Sequence, residues 1–88
     1  MTKVTVKVIS DTISKNGRHI TLTIISTDDS VVNDFLSLPI NINKTFANNT
    51  SLQDIKKEMK QETKSLIDSA KARISTDRLV GKELTFTV

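Results

Sequence analysis

His19 is the only imidazole in the chain. A general base of the Ser–His–Asp or Cys–His kind needs such a ring buried and oriented by a third group. His19 follows Asn16-Gly17, a dipeptide that turns the chain, so a surface ring is expected there in place of a catalytic one. Asp28, Asp29 and Asp34 could supply oxygen ligands to Mg²⁺ or Ca²⁺, but no glycine-containing calcium loop surrounds them. Small polar and acidic residues at Thr27-Asp28-Asp29-Ser30 instead suit a helix start. The two glycines, Gly17 and Gly81, lie too far apart for a phosphate-cradling loop. Asp54, Glu58 and Glu62 recur every four residues on one solvated helix flank, where water keeps carboxylates ordinary acids. No cysteine is present, which rules out disulfides and thiolate–zinc sites. These residues call for no catalytic set, cofactor or metal.

The lysines are more informative. Leu52, Ile55, Met59, Thr63, Leu66, Ala70 and Ile74, joined by Ile67, recur at three- and four-residue steps, the mark of one long amphipathic helix. At about 100° per residue, Lys56, Lys57, Lys60, Lys64 and Lys71 fall to one side of that stripe. Asp54, Glu58 and Glu62 fall to the other. Like charges four residues apart destabilise a helix by about 0.2–0.5 kcal/mol per pair. Opposite-sign pairs would serve helix stability better, so a basic flank built at this cost suits an acidic partner. A solvated face with chance segregation is the alternative. Phosphates could also sit on a lysine stripe. Base stacking, however, needs aromatic platforms, and the chain has no Tyr or Trp and only three arginines, Arg18, Arg73 and Arg78. Any nucleic-acid binding is therefore expected to be weak, nonspecific and salt-sensitive.

The elements that position these groups follow from periodicity. Val4, Val6 and Val8 alternate with polar residues, as do Ile20, Leu22 and Ile24, and Asn16-Gly17 lies between them. That pattern predicts a β-hairpin. A two-residue Asn16-Gly17 loop would set Ile13 opposite Ile20 and Ile9 opposite Ile24, leaving the valines on the wrong face. One extra residue corrects the phase, so a bulge is expected near Ser10-Asp11-Thr12. It would place Val4, Val6, Val8, Ile13, Ile20, Leu22 and Ile24 together; an irregular loop over residues 10–19 is the alternative. A short helix carrying Val31, Val32, Phe35 and Leu36 follows and ends before Pro39. Ile40 and Ile42 suggest a short edge strand. Thr50 or Ser51 caps the long helix, since each precedes a capping-box partner, Gln53 or Asp54. From Gly81, the alternation of Leu84, Phe86 and Val88 predicts a last strand. Lys3, Lys7 and Lys82 are of the kind that guards sheet edges, although a specific partner could still add a strand there.

The expected fold is α+β: one domain over residues 1–88, an antiparallel sheet of three to four strands with one long helix packed on one face. Expected core residues are Val4, Val6, Val8, Ile20, Leu22, Ile24, Phe35, Leu52, Ile55, Met59, Leu66, Ala70, Ile74, Leu84 and Phe86. Residues 4–24, with Asp11-Thr12-Ile13-Ser14 ahead of Asn16-Gly17, resemble the opening hairpin of flavin-dependent thymidylate synthases. The arginine- and histidine-rich signature of those enzymes is absent and the chain is too short for their flavin site, so the resemblance implies shared hairpin chemistry alone.

Residues 1–44 carry five Lys/Arg against four Asp/Glu, and residues 45–88 eight against six, so the net charge of +3 has no basic arm or acidic tail behind it. The N-terminus lacks an apolar signal core, and the longest apolar runs are dipeptides such as Ile24-Ile25. A cytoplasmic protein without a membrane partner is expected. The composition leans on Ile, Lys, Asn and Thr, and the AT-rich codons of Ile, Lys and Asn suit an AT-rich bacterial or phage genome. The expected function is non-catalytic binding of another macromolecule, in the concrete picture a phage or mobile-element accessory protein that inhibits or adapts a host protein. The alternatives are a structural subunit of a homo-oligomer or virion assembly, and a nonspecific nucleic-acid binder using the lysine flank.

Overall fold

The computed structural model describes residues 2–77, 81 and 83–88. Three strands, β1 (Val4–Ser14), β2 (Gly17–Thr27) and β3 (Ile40–Phe46), form an antiparallel sheet in the order β1-β2-β3. A short helix, α1 (Ser30–Leu36), joins β2 to β3, and a long helix, α2 (Leu52–Asp77), follows. This is the expected α+β arrangement, at the three-stranded end of its range.

The hairpin turns one residue earlier than Asn16-Gly17 predicts. Its loop is Lys15-Asn16, with Ser14 paired to Gly17. The Ser14 hydroxyl accepts from the Asn16 backbone N–H at 3.2 Å and donates to the Gly17 carbonyl at 3.3 Å, tying the turn from inside. Gly17 opens β2 with φ 134°, and a Cβ there would stand 2.7 Å from the Phe46 carbonyl oxygen. Close approach of β3, and a conformation L side chains rarely adopt, both require glycine here.

The predicted bulge exists, at Ile9: the register shifts between Val8 and Ser10. A second shift, between Thr5 and Val6, leaves Ile25 of β2 as the extra residue, and the alternation did not announce it. Val6 and Val8 face Ile24 and Leu22, while Ile13 pairs with Arg18, so the expected apolar set does share one face. The other face is polar. There Thr21 and Thr23 donate to Asn43 and Asn41 at 2.7 and 2.8 Å, cross-strand pairs of the kind that stabilise a solvated sheet.

Asp29 caps α1, its carboxylate accepting from the N–H groups of Val31 and Val32, and Ser37 closes it with φ 53°. Val32 and Leu36, four apart, turn inward. Val31 and Phe35 turn outward at 44% and 45% exposure, which corrects the expectation that Phe35 is core. Ser51 caps α2 by accepting from the Asp54 N–H at 3.1 Å.

The core is two clusters under α2. Ile20, Leu22, Phe46, Ile55 and Met59 pack near the hairpin turn. Val32, Ile67 and Ala70, with Val4, Leu36 and Ile74 against them, pack at the other end of the helix. Thr63 is also buried, its hydroxyl satisfied by the Met59 carbonyl at 2.9 Å. The weakest part of the helical stripe, Met59 and Thr63, therefore faces the sheet.

The last strand is not formed. Residues 83–88 carry no regular structure and every one is exposed, Phe86 at 76%. Leu84 and Phe86 are thus not core residues. Their alternation specifies a strand, but among the described residues neither free sheet edge, β1 or β3, pairs with it. The molecule is correspondingly long: its radius of gyration is 17.4 Å and its longest extent 62 Å. A compact chain of this size would have a radius near 12 Å.

Candidate binding groove

Helix α2 lies off-centre. Ile55 and Met59 reach β2 and β3 through Ile20, Leu22 and Phe46, whereas Val6 and Val8 of β1 remain 43% and 56% exposed on the same sheet face. Between β1 and the helix runs an open, mainly apolar groove of about 620 Å³. Its sheet wall carries Val4, Val6 and Val8, and its floor Ile20 and Leu22. Leu52, Ile55, Met59 and Ile67 form the helical wall, with Lys56, Lys60 and Lys64 along its rim. Three residues expected in the core, Val6, Val8 and Leu52, line this groove instead. They are apolar because they border it, and pattern alone cannot distinguish a groove wall from a core.

Asp11 and Arg18 close the groove at the hairpin end. Arg18 donates from Nε to Asp11 Oδ1 at 2.8 Å and from Nη2 to Oδ2 at 2.5 Å, a two-point fork. The guanidinium hydrogen bond holds the Asp11 carboxyl below the ordinary carboxylate range, against a smaller opposing effect of desolvation. The bulge at Ile9 is what turns Asp11 onto this face. No sequence motif marked this pair; cross-strand placement after a bulge was the only available signal.

The five lysines do not all line one groove. Lys56, Lys60 and Lys64 border the apolar groove, while Lys57 lines a polar hollow on the opposite flank with Asp54, Glu58 and Glu62. Lys71 is half-buried farther along α2. Lys64 pairs with Asp68 at 2.7 Å, so an acid sits inside the basic flank that sequence spacing drew as purely basic. The Lys64 hydrogen bond chiefly lowers the Asp68 carboxyl, with a lesser contribution from the Lys71 charge. Lys56 and Lys60 take part in no ion pair among the described residues.

The segregation of charge along α2 has a structural cause on its acidic side. Lys44 of β3 pairs with Ile20 across the sheet and so points toward the helix. Its ammonium lies 3.4 Å from Glu62 and 3.7 Å from Glu58. The acidic flank therefore has a partner on the sheet, whereas among the described residues Lys56 and Lys60 have no ion-pair partner. An inward charge on an edge strand also discourages pairing at that edge; on β1 the bulge at Ile9 and the inward Asp11 do the same beyond Val8, which leaves Val4–Val8 as the open stretch.

The remaining sequence candidates are occupied locally. His19 lies exposed on the polar face, Nδ1 3.0 Å from Thr45 Oγ1 and Nε2 3.4 Å from Ser14 Oγ. The Ser14 hydroxyl donates to Gly17, and no carboxylate orients the ring, so this geometry does not activate a nucleophile. Asp28 accepts from the Lys3 N–H and Asp29 caps α1. Among the described residues no three His, Cys, Asp or Glu side chains are grouped to hold a metal ion. No described helix is long and apolar enough to cross a membrane. No family model, curated protein or solved structure matches the chain.

Proposed function

We propose that the protein is a non-catalytic binding module that accepts an extended polypeptide segment along β1, over the groove between β1 and α2. The observation that carries this is the open apolar groove beside an edge strand, rimmed by Lys56, Lys60 and Lys64. Strand addition satisfies the free N–H and C=O groups of an edge, while alternate side chains fill pockets on one face. The groove supplies such pockets, and the rim lysines favour a segment carrying Asp or Glu. The finer picture, a phage or mobile-element accessory protein acting on a host protein, draws its support from composition alone.

Tagged protein should retain a protein partner from source-cell lysate after nuclease treatment. Replacing Lys56, Lys60 and Lys64 together by Glu should abolish capture while the far-UV circular dichroism stays unchanged. Full capture by the folded triple variant would remove the lysine rim from the binding surface. Loss of all capture with nuclease would shift the rim to phosphate binding, with its steep salt dependence.

A further inference from the structure

The segment that fits the groove best is in this same chain. We infer that residues 83–88 of a second copy add to β1 and cover its groove, so that the protein assembles by exchanging C-terminal strands. The inference rests on the groove being a strand-accepting surface and names its occupant.

Two of the exposed apolar sets share the alternation of a strand. One is Val6 and Val8 on β1, continued by the half-buried Val4. The other is Leu84 and Phe86, at 56% and 76% exposure, with the fully exposed Val88. Both alternate with polar residues, and both have three apolar positions over five residues. The β1 set lies just before the bulge at Ile9, on the open side of the edge strand. A strand set about 4.8 Å beyond β1, with its alternate side chains turned to the helical side, continues the valine row. It places Leu84, Phe86 and Val88 over the groove and Thr85 and Thr87 on the polar face. Charge agrees with this: Glu83 falls on the polar face with Thr85 and Thr87, the face to which Lys7 of β1 turns beside Thr23.

The geometry favours a second copy over closure within one chain. An eleven-residue strand is about 36 Å long and α2 about 39 Å, yet the molecule extends 62 Å with every residue from 83 to 88 exposed. None of the tail residues 83–88 is buried against the body. A two-fold pair exchanging tails reciprocally would close both β1 edges. The β3 edge, with Lys44 turned toward the helix, is the poorer acceptor.

The absence of native cysteine allows a clean test. Two full-length single-cysteine variants, Val6→Cys and Phe86→Cys, are mixed under mild oxidation, and a double variant is oxidised alone at low concentration. Expected is a covalent heterodimer containing one of each variant, formed faster than either homodimer. Phe86→Ala, placed at the centre of the contact, should weaken self-association roughly thirtyfold or more. An intrachain disulfide in a monomeric double variant would overturn the second-copy assignment while leaving the groove as a strand acceptor. With neither cross-link formed, titration of a synthetic peptide spanning residues 81–88 separates the two ideas. Peptide shifts confined to β1 and the lysine rim would sink only the exchange; no shifts at β1 would sink both the occupant and the strand-accepting groove.

Discussion

Gly17→Ala should be among the most damaging single-methyl additions in this chain. The new Cβ would lie 2.7 Å from the Phe46 carbonyl oxygen and 3.1 Å from Thr45 Cγ2. Ordinary van der Waals contact begins near 3.4 Å, so the end of β3 must retreat by more than half an ångström. Phe46 is in the core cluster with Ile55 and Met59, and that retreat is resisted. Overpacking of this kind costs about 1–3 kcal/mol. Holding an L side chain at φ 134° adds about 1–3 kcal/mol. Reduced freedom of the unfolded chain returns about 0.4–1 kcal/mol. The net loss is about 1–5 kcal/mol, against a total of about 4–13 kcal/mol for a domain of this length. Gly81→Ala is the control: its φ is also positive, at 81°, but nothing lies within 4 Å of its Cβ position and no packed element holds that conformation in place. Its expected change is under about 1 kcal/mol. Urea unfolding followed by circular dichroism suits a chain with no Trp or Tyr. Equal midpoints for the two variants would mean that β3 does not close over Gly17, and the hairpin register argued here would be wrong.

The off-centre helix predicts that two residues with the same sequence signature behave differently. Ile24→Ala should cost about 2–5 kcal/mol because Ile24 is fully buried, while Val8→Ala, on a groove wall at 56% exposure, should cost under about 1 kcal/mol when measured on dilute monomer. The Asp11–Arg18 fork predicts an acid-sensitive hairpin end. Because the folded Asp11 carboxyl is lowered, its contribution is complete above the unfolded value and fades as pH falls through the folded one. Asp11→Asn should therefore flatten the urea midpoint against pH on the acid side; an unchanged acid slope would show that the fork has no energetic role.

How much of this was legible follows the physical source of each signal. The strands, both helices and the need for a bulge came from periodicity, because a buried face enforces a fixed phase. Turn position was misread by one residue because Ser14, an ordinary strand residue by type, ties the Lys15-Asn16 loop with its hydroxyl. Core membership was misjudged mostly at Val6, Val8, Leu52, Leu84 and Phe86, which border the groove or form the tail. Alternation records that a side chain meets an apolar neighbour somewhere, without saying that the neighbour is in the same molecule. The division of the lysines was also hidden. Helical angle separates Lys56 and Lys57 by one step, but only the offset of α2 toward β3 assigns one to the apolar groove and the other to the acidic hollow.

Amide hydrogen exchange on the full-length protein, dilute and then concentrated, tests the central claim most directly. If a strand adds beside β1, backbone amides within Val4–Val8 slow on concentration, and the chain around Lys56 and Lys60 follows. Slowing confined to β3, or to the Thr–Asn face of the sheet, would contradict the assignment of the groove as the binding surface.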